Sequence, residues 1–156
     1  MGLIISLQTT SASAFNEASK AFGLKDSRIH TFWGKCLEVE IGAPEPAAGC
    51  SGELFITVRK DGKTEIAVNW QDATIVFSGS PLKDEADGSM RMALTNVQMH
   101  ASGGPPIDFD ADGQCSLRVV EGFREAECFA DVRGDKPWGL KFRTIDRSPA
   151  IRSTTR

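Results

Sequence analysis

Between positions 54 and 70 the chain alternates. Leu54, Ile56 and Val58 stand two apart, Lys60-Asp61-Gly62 interrupts, and Ile66, Val68 and Trp70 take up the alternation again. A period of two belongs to a strand with one buried face, and a three-residue interruption with glycine in the left-handed position closes a hairpin. That turn pairs Ile56 with Ile66 and Leu54 with Val68, so both strands bury the same side. Alternation also marks residues 36–41, where a Pro- and Ala-containing stretch at 43–49 ends it. Further strands are expected at 74–77, 90–94, 97–101, 114–120, 124–132 and 138–145. A helical period occurs once: Phe15, Ala18, Ala21 and Phe22 share a face, Ser13 or Asn16 can cap the start, and Gly23 stands at the stop. Eight or so short strands separated by turn residues make the chain mainly β, an antiparallel β-sandwich or small β-barrel with a short N-terminal helix.

The cysteines sharpen this picture. Cys36, Cys50, Cys115 and Cys128 are an even set with no C-x-x-C pair, and neither His30 nor His100 stands at ligand spacing from any of them. Two disulfides or four buried thiols remain. If Glu121-Gly122 is a two-residue turn, Cys115 lies directly opposite Cys128 in a non-hydrogen-bonded pair, where Cβ atoms approach most closely, and Arg118 faces Glu125. Cys36 then joins Cys50 across the 43–49 loop. A rival register makes Val120-Glu121-Gly122 a three-residue loop, which spares Glu121 a positive φ and puts Cys115 opposite Glu127.

At 156 residues the chain has the size of one domain, with no repeat and no long linker. The expected division is a β domain over 15–146 and a basic tail over 147–156. Residues 1–14 carry no charge, hold an apolar run at 3–7 and end in Ala12-Ser13-Ala14. They read either as the remnant of an export signal with an A-x-A cleavage site or as a strand, since Leu3, Ile5 and Leu7 also alternate. The first reading, with disulfides, implies a periplasmic or secreted protein; the second, with reduced cysteines, a cytosolic interaction domain. Eighteen basic against 21 acidic side chains leave a net charge of −3, which argues against nucleic acid as a partner. No apolar run is long enough for a membrane-spanning helix. Lys141, Arg143, Arg147, Arg152 and Arg156 face only Asp146 near the C-terminus, a balance suited to a phosphate-rich or acidic partner if it is more than a solvated end.

Candidate chemistry is sparse. Asp108-Phe109-Asp110-Ala111-Asp112-Gly113 opens like a calcium loop, whose alternate carboxylates converge on one ion. Val119 then occupies the position that needs a bidentate carboxylate, so a plain acidic turn is the competing reading. Arg133-Gly134-Asp135 is an adhesion tripeptide, and a turn wants Gly and Asp there for backbone reasons alone. Ser80 and Lys83 have the S-x-x-K spacing with proline just after the serine, His100 lies at a strand end, and no nucleophile elbow or zinc helix exists. Glu38 with Glu40, and Glu125 with Glu127, share strand faces as glycosidase carboxylates do, and as solvated faces also do. Trp70 and Trp138 fall in phase with apolar neighbours, whereas Trp33 is unconstrained. The expectation is therefore a non-catalytic domain without a cofactor that binds a protein or small-molecule ligand through end loops. The alternative from another class is a small hydrolase, or a calcium-dependent protein, that uses Asp108, Asp110 and Asp112.

Overall fold

The structure, a computed structural model, describes residues 17–42, 44–45 and 49–147. Helix α1 (Glu17–Phe22) precedes the strands β1 (Arg28–Ile41), β2 (Pro44–Glu45), β3 (Cys50–Val58), β4 (Thr64–Trp70) and β5 (Ala73–Gly79). Then follow β6 (Lys83–Asp84), β7 (Met90–Ala101), β8 (Ile107–Val120), β9 (Phe123–Val132) and β10 (Trp138–Arg147). Leaving aside the short β2 and β6, eight strands run as successive antiparallel neighbours, and β10 returns to β1 from Gly34↔Thr144 to Ile41↔Trp138. The sheet is thus a closed barrel, which decides between the two architectures expected from the sequence. Eight strands enclose an interior just wide enough for side chains to fill. Closure brings β10 close to β1 at Gly34, where a Cβ would collide with the Arg143 carbonyl.

Alternation supplies the filling. Leu54, Ile56, Ile66, Val68, Ile75, Phe77, Met92, Leu117 and Phe142 are fully buried inside the barrel. The β3–β4 hairpin has the expected pairs Ile56↔Ile66 and Leu54↔Val68, with Gly62 at φ +87°. Two expected strands, 90–94 and 97–101, are one. Within β7 the register shifts between Leu94 and Asn96: against β5 Thr95 is an extra residue, against β8 it stands opposite two, Ala111 and Asp112, and the change of phase lets both Leu94 and Val97 face inward. β1 starts at Arg28, ahead of the expected 36, because its outward positions Ile29 and Trp33 are themselves apolar and mask the period of two.

Glu121 and Gly122 both take positive φ, 53° and 85°, and form the two-residue turn. Cys115 pairs with Cys128 and Arg118 with Glu125, while Glu127 lies opposite Ser116, so the rival register is not adopted. A primed turn matches the twist of its strands, which offsets the cost of a glutamate at positive φ. The Cys115 and Cys128 sulfurs are at bonding distance, with Cα atoms 4.0 Å apart. So are those of Cys36 and Cys50, with Cα atoms 6.1 Å apart. The second bond ties β1 to β3 beyond Trp33↔Glu53, the last pair of their ladder, and so replaces hydrogen bonds that have ended.

α1 closes one barrel end. Ala18 and Phe22 are buried, the Ala18 N–H donates to the Gly88 carbonyl at 3.0 Å, and Phe22 meets Phe32 edge-on at 5.2 Å. Arg124 of β9 fastens the other end of the helix: its Nη1 donates to the Ala21 carbonyl at 3.1 Å, and its guanidinium lies 5.4 Å over the Phe32 ring. Gly23, at φ +57°, ends the helix. Arg124→Met should therefore cost about 1–2 kcal/mol, one charged hydrogen bond and one cation–π contact. Hydrogen exchange would show the α1 amides exchanging faster while those of β4 and β5 keep their protection; unchanged α1 protection would mean that the arginine is no latch. The possible caps Ser13 and Asn16, the helix-face residue Phe15, the 1–14 segment and residues 148–156 lie outside the described residues.

Candidate functional site

The barrel end opposite α1 carries the β4–β5 turn, the β9–β10 turn and the connection between β7 and β8. The last of these stands out. Nine consecutive residues, from His100 to Asp108, are exposed, and Ile107 is 50% exposed despite its size. Gly103-Gly104-Pro105-Pro106 cannot extend a ladder, since glycine loses too much entropy and proline lacks the donor, so the two longest strands of this side end in a projecting tip.

The acidic segment below the tip is strand, not loop. Asp108, Asp110 and Asp112 all belong to β8, at successive positions of its outward face. Successive positions on one face are about 7 Å apart, so the three carboxylates cannot wrap one ion as they do in a calcium loop. Among the described residues no group of three or more His, Cys, Asp or Glu side chains is placed to hold a metal ion. A fourth carboxylate joins them: Asp131 of β9 stands directly opposite Asp112. The two-residue turn at Glu121-Gly122 already implied this pairing, and it is the one member of the cluster that the chain order hides. Asn96 donates from Nδ2 to Asp108 at 2.9 Å, and Arg133 lies 3.9 Å from Asp110. Beside them a groove of about 450 Å³ runs between Leu94, Thr95, Ala111 and the carboxylates Asp110, Asp112 and Asp131.

The other candidates are structural. Asp135 accepts from the Trp138 indole at 3.1 Å and from the Lys136 N–H at 2.8 Å, which hold its carboxyl below the usual range and occupy the acidic end of the Arg133-Gly134-Asp135 tripeptide. Ser80 accepts at Oγ from the Ala93 N–H, whereas Lys83 pairs through β6 with Arg91 across the ladder. His100 is engaged with Gln98 at 3.1 Å, and His30 with the backbone of Lys25. Trp138 belongs to the core, Trp70 is partly buried against that core cluster, and Trp33 is 62% exposed on the outer wall.

Glu125 is no solvated carboxylate. It faces outward yet is 1% exposed, covered by Arg118 at 2.6 Å, Arg143 at 2.9 Å and Lys141 at 3.8 Å. Burial pushes its pKa up, and the hydrogen bonds from Arg118 and Arg143 overcome this, so the carboxyl ends below its ordinary value. The same contact raises the Arg118 guanidinium, against the opposing effect of burial. Lys141 and Arg143, expected as part of a basic end, are thus β10 residues that neutralise Glu125.

Compared with known proteins, the chain matches no family model, no curated protein and no solved structure.

Proposed function

We propose that this protein is a non-catalytic, exported binding domain that engages a protein partner with the barrel end opposite α1. The observation that carries the reading is the exposed β7–β8 tip, residues 100–108, standing on a barrel whose interior is occupied by side chains. A carrier of small ligands keeps a cavity in the barrel, and here large residues such as Phe77, Phe142 and Met92 take that space. Two cysteine pairs at bonding distance favour an oxidising compartment, and hence the periplasm or the extracellular space.

Photo-crosslinking tests the assignment. A benzophenone side chain at Gly103, at the tip, and another at Trp33, on the outer wall, are introduced separately into the full chain in its own host. A discrete adduct from the tip and none from the wall is expected. Adducts from Trp33 alone, or from neither position, would overturn the choice of this end. The intact mass of the same protein, denatured and alkylated without reductant, should show four protected thiols; four alkylated cysteines would place it in a reducing compartment.

A further inference from the structure

The outer wall at the start of β1 is apolar. Among the described residues six large apolar side chains are exposed, and three of them stand on this wall: Ile29 at 70%, Trp33 at 62% and Ile145 at 65%. Ile29 and Trp33 are four residues apart on β1, which puts both on its outward face. Trp33 and Ile145 are the next residues along their strands beyond Gly34↔Thr144, where the β1–β10 ladder ends. Half-buried Phe55 joins them from β3, opposite the exposed Thr31. A contiguous exposed apolar patch of this kind marks a docking surface.

Charge says what docks there. The stretches that contain the patch, 25–35 and 143–156, hold seven lysines and arginines against two acidic residues, in a chain whose totals are 18 basic and 21 acidic. Arg143 is held by Glu125, and Asp26, Asp146 and Glu53 are the carboxylates nearest the patch in chain or ladder. The surplus therefore rests on Lys25, Arg28 and Lys35, all exposed, and on the chain that follows β10. Tryptophan and aliphatic side chains flanked by cations are the chemistry of a protein resting on an anionic bilayer. The wall of a closed barrel is also convex, which a fluid bilayer follows, whereas two rigid convex walls touch over too little area for a stable pair. We propose that the protein rests on an anionic lipid bilayer through this wall, with Ile29, Trp33 and Ile145 in the headgroup layer and Lys25, Arg28 and Lys35 against lipid phosphates. Ile29 lies toward the α1 end of β1, so the β7–β8 tip stays clear of the lipid and free for its protein partner. A benzophenone at Trp33 then faces lipid, not protein.

The probes are vesicles of phosphatidylcholine alone and of phosphatidylcholine and phosphatidylglycerol in equal parts. The full chain should sediment with the mixed vesicles, and added salt should release it. Its emission should shift to the blue, because Trp138 is buried and Trp70 partly so, while Trp33 passes from water into the headgroup layer. Trp33→Thr with Ile145→Thr keeps residues suited to a strand, and should weaken binding about tenfold and abolish the shift. Arg28→Gln with Lys35→Gln should also weaken binding about tenfold and flatten its salt dependence. Circular dichroism and thermal melts of both variants should match the parent's. Residues 1–14 are the same in all three proteins, so any difference in binding belongs to the wall. No binding to the mixed vesicles, equal binding to phosphatidylcholine alone, or unchanged binding of either variant would overturn the proposal. So would self-association of the parent, lost in the Trp33 variant, without vesicle binding: the wall is then an interface between two copies. The lipid site and the tip stand independently. A tip that fails to crosslink while the vesicles bind removes the protein-binding reading and leaves this one.

Discussion

Removing the Cys115–Cys128 bond by replacing both cysteines with alanine is expected to cost about 3 kcal/mol, the loop-closure entropy of a chain segment of this length. For a domain of about 150 residues that lowers the Tm by roughly 6–12 °C. Both cysteines are buried, at 0% and 2% exposure, inside the seam between β8 and β9, so the two sulfurs also leave a small void that adds to the loss. The same burial sets an order of reduction. Cys50 is only partly buried at the start of β3, where the β1–β3 ladder has already ended, so a thiol reductant should open Cys36–Cys50 while the barrel is still folded. Cys115–Cys128 should open only as fast as the protein unfolds. Alkylation and mass analysis during reduction, with circular dichroism in parallel, reads both steps. Equal alkylation of all four cysteines before any loss of structure would show that the seam is open to solvent.

Which parts of this were legible in the chain depends on how far the partners lie apart. Turn chemistry reaches only across a hairpin, and within hairpins it was enough: Gly62 set the β3–β4 pairs, and Glu121-Gly122 set Cys115 against Cys128 and Arg118 against Glu125. The closing ladder between β1 and β10 joins Gly34 to Thr144, and no local pattern encodes it, because either end of an alternating sheet can be left open or joined. Thr95 shows the same limit from another side. A bulge is one residue out of phase, and in sequence it looks like the gap between two strands. The acidic site was half visible. Three of its carboxylates form a motif, and strand and calcium loop share that spacing; the ladder partners Gln98 and Asn96 show that the segment is extended.

Glu125 illustrates a contact the sequence disclosed only in part, and it carries the second large effect. Arg118 was its foreseeable partner across the hairpin, but Arg143 and Lys141 arrive from β10, whose register against β9 no turn residue fixes. Glu125→Ala takes the buried countercharge from Arg118, Lys141 and Arg143 and leaves the exposed Glu127 carboxylate 3.3 Å from Arg118, and breaking a buried ion pair in this way costs about 3–5 kcal/mol. Arg118 is 42% exposed, so solvent screens part of the loss and about 3 kcal/mol is expected at neutral pH. Glu125→Gln keeps the volume and separates the charge from the packing. Because the folded state holds the carboxyl below its ordinary value of 4.5, ionised Glu125 contributes stability that is fully present above that pH. The contribution falls as the pH drops through the lowered value and the carboxyl takes up a proton. Parent and Glu125→Gln should therefore differ most near pH 7 and converge below 4.5 in urea melts. A gap that stays constant down to the acid limit would mean that packing, and not the charge beneath the three cations, holds this face of the barrel together.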